Sequence, residues 1–243
     1  MIVEGINCAT ELLKANYPVE KVIINSDLTK KCENIINLAK SRKVNIEYAT
    51  KQDIEKLTKT KNSQGVLSFV KPFKYCDVND ILKDAESKGE APFIIILDGI
   101  VDPHNVGAII RTAECVGVTG IIIAQNRACE INETVFKTSA GAVAHMKVAQ
   151  VVNLSQTIEK LKKQNVWVYS LEAGNQSMYQ TDLTGPLALV IGSEGGGVSK
   201  LVNRTCDGTI SIPLRGEVNS LNASNAGAIA MYEALRQREI CRK

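Results

Sequence analysis

Polar side chains suited to binding and catalysis follow three apolar segments in the second half of the chain. The first such region is LDGIVDPHNVGAIIRTAECVG (97–117), which places Asn105 and Arg111 six residues apart. Because Asp102 and Pro103 form a turn-initiating pair, Asn105 is predicted to cap the helix that carries Arg111. Apolar neighbours predict an anionic or polar partner for the Arg111 guanidinium, and an ordinary surface arginine is the alternative.

A glycine cluster follows the second apolar segment, in LVIGSEGGGVSK (189–200). Neither common phosphate-binding loop fits it. No register of 192–197 supplies GxGxxG, and a P-loop would need lysine where Val198 stands. The glycines therefore predict a sharp turn that lets two stretches of backbone approach closely, with Glu194 inside the turn. The alternative is a plain tight turn with an exposed glutamate.

The third region is ISIPLRGEVNSLNASNAGAIAMYE (210–233). Pro213 is expected to end a strand, because proline cannot donate to the ladder of hydrogen bonds. Four small polar residues then crowd the approach to the last helix: Ser220, Asn222, Ser224 and Asn225. Helix capping explains one or two of them. The group as a whole predicts a polar pocket floor rich in donors and acceptors.

The elements around these regions must bring them together. From residue 91 onward, apolar strands alternate with helices, which is the pattern of an α/β domain with a parallel sheet. Ligands of such sheets bind outside the carboxyl ends of the strands. The ends of the strands FIIIL, LALVI and ISIPL are therefore expected to meet at one site.

The first 70 residues indicate a separate small α/β unit, with strands VEKVIIN, NIEYA and GVLSFV between short helices. Residues 71–90 are polar and contain Pro72, and they are interpreted as a linker with a helical turn or two. The net charge of +3 comes mainly from residues 1–70, which hold 11 Lys and Arg against 8 Asp and Glu. This bias fits a polyanion-binding module, and a solvated charged face is the alternative.

Composition excludes several classes of protein. Seven cysteines are scattered without a CxxC pair, and His104 and His145 do not lie at metal-ligand spacing from them, so reduced thiols and no metal site are expected. The apolar stretches fall far short of the roughly 20 residues that span a bilayer. The amino terminus lacks the pattern of a signal peptide. These features predict a cytoplasmic protein that does not enter a membrane.

Taken together and in this order, the three regions resemble the motifs of the SpoU (TrmH-like) branch of the SPOUT RNA methyltransferases. The family's N-x5-R, GSEG-type turn and S-x-N segment are all present. The match covers essentially 91–243. Residues 1–70, with their EGINCATELL start and GVLSFV end, resemble the substrate-binding domain of the ribosomal-RNA members. The resemblance implies an RNA substrate-binding domain (1–70), a linker (71–90) and a methyltransferase domain (91–243) whose parallel sheet carries a C-terminal trefoil knot.

The resemblance further implies transfer of a methyl group from S-adenosyl-L-methionine to a ribose 2′-hydroxyl, on a guanosine of 23S ribosomal RNA, by a homodimer. The implied catalytic residues are Asn105, Arg111, Glu194, Ser220 and Asn222. The implied cofactor-binding residues are Gly192, Ile212 and Leu221, with no metal. A tRNA methyltransferase of the same family and a non-catalytic ribosome-assembly protein are the alternatives. A nucleotide-phosphate enzyme is disfavoured, because both phosphate-loop patterns fail.

Overall fold

The computed structural model describes residues 1–58 and 63–241, apart from the side chains of residues 175 and 241. Contacts divide the chain into two compact units. Unit 1 consists of Met1–Lys74 and Glu130–His145, and unit 2 consists of Tyr75–Cys129 and the chain from Met146 onward. Within the described ranges, no helix has the length and apolar character needed to cross a bilayer.

Unit 1 is a four-stranded mixed sheet with helices packed against it. Its elements within the first 74 residues are β1 (Ile2–Glu4), α1 (Ile6–Lys14), β2 (Val19–Asn25), α2 (Glu33–Ser41), β3 (Asn45–Ala49), α3 (Lys51–Leu57) and β4 (Val66–Val70). The strand order is β1-β4-β2-β3, in which β2 and β3 are parallel and β4 is antiparallel to its neighbours. The three strands predicted from sequence are present. Strand β1 is additional, since three residues are too short to show a periodicity.

The segment 130–145 differs from its prediction. The sequence NETVFKTSAGAVAHM suggests one helix of the second domain, whereas α6 covers only Glu133–Thr138 and belongs to unit 1. The helix stops because Ala140 and Gly141 have φ values of 53° and 89°, outside the helical region. Lys137 Nζ then lies 2.7 Å from Glu4 Oε2, which ties the segment to β1.

Unit 2 is built on a six-stranded sheet. Its elements are α4 (Val78–Ser87), β5 (Phe93–Asp98), α5 (Pro103–Cys115), β6 (Gly120–Ala124), β7 (Val148–Val151), α7 (Leu154–Lys162), β8 (Trp167–Ser177), β9 (Leu187–Gly192), α8 (Lys200–Thr205), β10 (Gly208–Ser211) and α9 (Ala223–Cys241). The strand order is β10-β8-β9-β5-β6-β7 and every pair is parallel. The central strands are fully buried, which explains their continuous apolar sequences. The predicted parallel α/β architecture is confirmed.

Residues 71–90 contain more structure than the predicted linker with a helical turn or two. Helix α4 runs for ten residues, and Asp77 and Asp80 form a capping box at its start. Ile81 is fully buried against Gly120, where a Cβ atom would lie 2.6 Å from Ile81 Cδ1. Burial of this apolar side chain fixes α4 to the sheet of unit 2.

The cysteines whose side chains are described carry free thiols: Cys8, Cys32, Cys76, Cys115, Cys129 and Cys206. Burial raises the pKa of the Cys8 thiol and of the Cys206 thiol to about 12, so both stay protonated at neutral pH. Across the described residues, no group of three or more His, Cys, Asp or Glu side chains could hold a metal ion.

Candidate active site

Strand order brings the three polar regions to one edge of the unit 2 sheet. Strand β9 lies between β8 and β5, and the register pairs Leu171 with Ile191 and Asp98 with Gly192. Strands β5 and β9 therefore end at the same level, while β8 continues to Ser177 beside Ser211 at the end of β10. Because they are parallel, the loops that follow them leave from the same edge.

Three side chains that follow three different strands form a hydrogen-bonded cluster at this edge. Asn105 Nδ2 donates to Glu194 Oε1 at 2.9 Å. Asn222 Nδ2 donates to Asn105 Oδ1 at 3.0 Å and also to Glu194 Oε1. Asn105 and Asn222 are 117 residues apart in sequence. Three of the five side chains that the motifs identify as catalytic are thus in direct contact.

Asn105 is not the helix cap that its position suggests. Asp102 caps α5 instead, and its Oδ1 accepts the backbone N–H of His104 at 3.0 Å. Pro103 occupies the first helical position, where its missing N–H costs no hydrogen bond. Asn105 therefore lies inside the first turn, buried, and its amide is available to Glu194.

Asn222 serves as the cap of α9. Its Oδ1 accepts the backbone N–H groups of Ser224 and Asn225 at 3.0 and 3.3 Å, and the Ser224 hydroxyl at 2.6 Å. Since these donors occupy the side-chain oxygen, the nitrogen must face Glu194. The start of the last helix therefore orients one member of the cluster.

Glu194 brings negative charge to the cluster and remains exposed. Its Oε1 accepts hydrogen bonds from both asparagine amides. Its Oε2 makes no hydrogen bond within the described part of the chain. Two neutral amides thus hold the carboxylate in place and leave one oxygen free to accept a hydrogen bond from a ligand.

Arg111 and Ser220 lie outside this hydrogen-bonded cluster. Arg111 is exposed on α5 and makes no hydrogen bond or ion pair with the described residues, so the predicted anionic or polar partner is not among them. The physical reason is helical geometry, because Ile109, Ile110 and Ala113 form the buried face while Arg111 points away from it. The exposed guanidinium is free to meet an external ligand.

A cavity of about 190 Å³ lies beside the cluster. Gly192, Ile212 and Leu221, the three residues that the motifs identify as cofactor-binding, all line it. Glu194 and Ser220 line it as well. Most of the other lining residues are apolar or small. The cavity therefore combines an apolar wall with carboxylate and hydroxyl groups.

The glycine turn forms one wall of the cavity, and it is the sharp turn that the sequence predicts. Ser193 and Gly197 exchange two backbone hydrogen bonds, of 3.1 and 2.9 Å. A Cβ atom on Gly192 would lie 2.1 Å from the carbonyl carbon of Gly197 and 2.2 Å from Val198 N. No side chain fits at position 192, so the close approach of the two backbone arms requires glycine there.

Two carboxylates that the motifs did not identify bind the backbone that follows this turn, at Val198 and Ser199. Glu172 Oε1 accepts the backbone N–H of Val198, and Asp98 Oδ2 accepts the backbone N–H of Ser199 at 2.7 Å. They come from β8 and β5, the two strands that flank β9. The available sequence signal was an acidic residue directly after an apolar run, in FIIILD and in VYSLE.

Comparison with known proteins identifies the family. The model of the SpoU rRNA methylase family matches residues 92–232, which is more than half of the chain. The chain belongs to the SpoU rRNA methylase family. A second model, for RNA 2′-O ribose methyltransferase substrate binding, matches residues 2–76. The resemblance seen in the motifs is thus confirmed, and the chain is an RNA methyltransferase of the TrmH/SpoU type.

Individual relatives agree with the SpoU assignment. A Bacillus subtilis (strain 168) protein, YacO, assigned to the TrmH family of tRNA/rRNA methyltransferases, is 40% identical over 236 residues, covering 96% of this chain and 94% of the relative. The crystal structure of the SpoU methyltransferase AviRb from Streptomyces viridochromogenes, in complex with AdoMet, shares the fold with a TM-score of 0.83 at 23% identity, covering 99% and 91% of the two chains. An AdoMet-bound rRNA methyltransferase from Sinorhizobium meliloti gives 0.79 at 24%, covering 97% and 86%.

Proposed function

We propose that this chain transfers the methyl group of S-adenosyl-L-methionine to the 2′-hydroxyl of a ribose in RNA. The observation that carries the proposal is the Asn105–Glu194–Asn222 cluster, whose Glu194 lines a cavity bordered by the glycine turn. A carboxylate with one oxygen free to accept a hydrogen bond is suited to a hydroxyl substrate. Membership of an RNA methyltransferase family makes a ribose hydroxyl the natural acceptor.

The residues of the cavity fit the proposed cofactor. Ile191, Ile212 and Leu221 offer an apolar surface to a purine ring, and the strand ends offer backbone N–H and C=O groups to its edge. Any side chain at Gly192 would fill the space between the two backbone arms. The AdoMet-bound neighbours from Streptomyces and Sinorhizobium support the same cofactor here. When bound, S-adenosylmethionine supplies a methyl group made electrophilic by the positive sulfur.

The protein must position the ribose hydroxyl, since a neutral alcohol is a weak nucleophile. We assign this role to the free Oε2 of Glu194, which can accept the hydroxyl hydrogen and aim the oxygen at the methyl group. The hydroxyl proton becomes more acidic as the oxygen–methyl bond forms, so the carboxylate can receive it late in the reaction. Asn105 and Asn222 keep Glu194 in position, and Ser220 is placed to bind the ribose or its phosphate.

Arg111 is assigned to the RNA. Its guanidinium is exposed and unpaired within the described residues, and a planar fork of donors suits a phosphate. A guanidinium holds its proton tightly at neutral pH, so it is poorly suited to remove a proton from the hydroxyl. We therefore infer that Arg111 anchors the target phosphate and so helps to hold the ribose 2′-oxygen in line with the methyl group.

We further infer that the substrate is ribosomal RNA, with a guanosine of 23S RNA as the target. The match of residues 2–76 to a substrate-binding model and the basic excess of that region support an RNA-docking role for unit 1. The name of the Bacillus relative includes both tRNA and rRNA, so tRNA is the second candidate. Either substrate would place the enzyme in the cytoplasm.

The quaternary structure and the chain path are also proposals. Ile229 and Tyr232 on α9 are 38% and 53% exposed, and α9 packs against α5. An exposed apolar face next to the helix of Arg111 supports a homodimer formed through these two helices. The C-terminal trefoil knot is proposed from the family resemblance.

One experiment separates the candidate functions. The purified full chain is incubated with S-adenosylmethionine carrying a labelled methyl group and with rRNA or tRNA from a strain that lacks this gene. Label at a 2′-oxygen of 23S RNA supports the proposal, and label in tRNA alone moves the assignment to the second candidate. RNA binding without any label would leave the non-catalytic assembly protein as the answer. Mapping by nuclease digestion and mass spectrometry identifies the nucleotide.

A further inference from the structure

Two carboxylates, from the strands on either side of β9, accept hydrogen bonds from the backbone that follows the glycine turn. Glu172 follows Leu171, the last β8 residue paired with β9, and its carboxylate accepts the N–H of Val198. Asp98 at the end of β5 accepts the N–H of Ser199. Because β9 lies between these strands, consecutive backbone donors of one loop reach acceptors on both neighbouring strands. The two acidic side chains thus share one structural role.

They differ in their access to the cavity. Glu172 lines the cavity, whereas Asp98 does not. The carboxylate of Glu172 lies against Gly197, where a Cβ atom would be 2.7 Å from Oε1 and 2.9 Å from Oε2. Glycine at position 197 therefore makes room for the whole carboxylate. Glu172 Oε2 has no hydrogen-bond partner within the described ranges, so only Oε1 holds the turn.

The carboxylate of Glu172 shares the cavity with apolar side chains. Leu171, Ile212 and Leu214 line the same cavity and offer the carboxylate no hydrogen-bond donor. A carboxylate beside apolar walls is poorly solvated and favours a cationic ligand. Glu194, the other acidic residue of the cavity, is already held by two amides, so Glu172 is the carboxylate without a role in the proposed transfer.

We propose that Glu172 is a specificity-determining residue that distinguishes the positively charged methyl donor from its neutral demethylated product. This inference rests on the proposed function, in which S-adenosylmethionine occupies the cavity. The donor carries a positive sulfur, and S-adenosylhomocysteine, which remains after transfer, does not. A negative charge in the cavity wall attracts the positive sulfur of S-adenosylmethionine and has no such attraction for the neutral sulfur of S-adenosylhomocysteine. Glu172 therefore favours donor binding and product release.

The test measures affinity for both ligands by calorimetry on the full chain, without RNA. In Glu172→Gln the side-chain oxygen can still accept the N–H of Val198, so the substitution removes the charge and keeps the hydrogen bond that holds the turn. We expect the affinity for S-adenosylmethionine to fall about tenfold. The attraction between a half-exposed carboxylate and the positive sulfur is stronger than that of a pair in bulk water and weaker than that of a close pair at a protein surface. Affinity for S-adenosylhomocysteine should change less than about twofold.

Two further variants sharpen the comparison. Glu159→Gln removes an exposed charge of α7 that does not line the cavity, and it should leave both affinities unchanged. Glu172→Ala removes the charge and the acceptor of Val198 N–H together, so both ligands should bind more weakly. A second measurement needs no substitution. In the parent chain, raising the salt concentration should weaken S-adenosylmethionine binding and leave S-adenosylhomocysteine binding nearly constant.

The outcomes separate the two proposals. Equal losses for both ligands in Glu172→Gln, or no loss for either, would overturn charge recognition by Glu172 while leaving the methyltransferase proposal intact. Equal salt sensitivity for both ligands would have the same meaning and does not depend on the folding of a variant. A parent chain that binds neither ligand would overturn the proposed function and, with it, this inference.

Discussion

Replacing Asn222 separates the stability of the last helix from the chemistry of the cluster. Its Oδ1 accepts two backbone N–H groups at the start of α9, while its Nδ2 donates to Glu194 and Asn105. Asn222→Ala removes both functions, and the lost cap costs about 1 kcal/mol of the free energy of unfolding. Asn222→Ser keeps a capping oxygen and removes only the amide donor. Its free energy of unfolding should stay within about 0.5 kcal/mol of the parent.

Both variants should lose methyl transfer to a similar extent. Without the amide of Asn222, Glu194 keeps only Asn105 as a donor and is less well positioned. A misplacement of about 1 Å can cost about 10² in rate. Urea denaturation measures stability, and single-turnover methylation at saturating cofactor measures the rate. Asn225→Ala is the control, since only its backbone contacts the cap. Near-normal turnover in Asn222→Ser, or activity that simply follows stability, would refute the role given to the cluster.

Three further predictions address other parts of the molecule. Arg111→Ala should slow single-turnover methylation by about 10²–10³ and leave calorimetric cofactor affinity within a few-fold, with poor rescue by Arg111→Lys; a loss confined to cofactor binding would contradict this. Gly192→Ala should abolish cofactor binding in the same titration, because its Cβ atom would collide with backbone; unchanged affinity would argue against the site. Hydrogen bonds from Lys147 and then Lys88 lower the pKa of Asp84, so its stabilising effect is present above the unfolded pKa of about 3.9 and is lost as pH falls through the lower folded value. Urea unfolding of the parent and of Asp84→Asn should therefore differ by a constant amount above about pH 5 and converge in stronger acid, and a difference that persists there would count against the ion pairs.

The sheet of unit 2 was predictable because its strands are buried on both faces and stand out as apolar runs between helices. The convergence of Asn105, Glu194 and Asn222 followed from the same pattern, since each residue comes after a parallel strand. The strand order was not predictable, because it places β9 between β8 and β5 out of chain order. The hydrogen bonds of Glu172 and Asp98 to the glycine turn depend on that order. Their donors are backbone N–H groups, which residue types do not reveal.

Two local features depend on the rest of the fold. Arg111 has apolar neighbours in sequence, but a helix separates adjacent residues by about 100° and turns this side chain outward. The segment around Phe136 follows β6 in sequence and was therefore assigned to the second domain. Its contacts are with α1 and β1 of unit 1, such as the hydrogen bond from Cys8 Sγ to the carbonyl of Phe136 at 3.1 Å.

The return of residues 130–145 to unit 1 bears on how this architecture can change by recombination. Unit 1 is made from two stretches of chain, so the polypeptide passes from one unit to the other three times. A gene fusion at a single junction near residue 75 would exchange the amino-terminal stretch and leave behind α6, whose Val135 and Phe136 are fully buried in the present pairing. A new amino-terminal domain would have to cover these side chains with a matching surface. The amino-terminal stretch and residues 130–145 are therefore constrained to evolve as a pair.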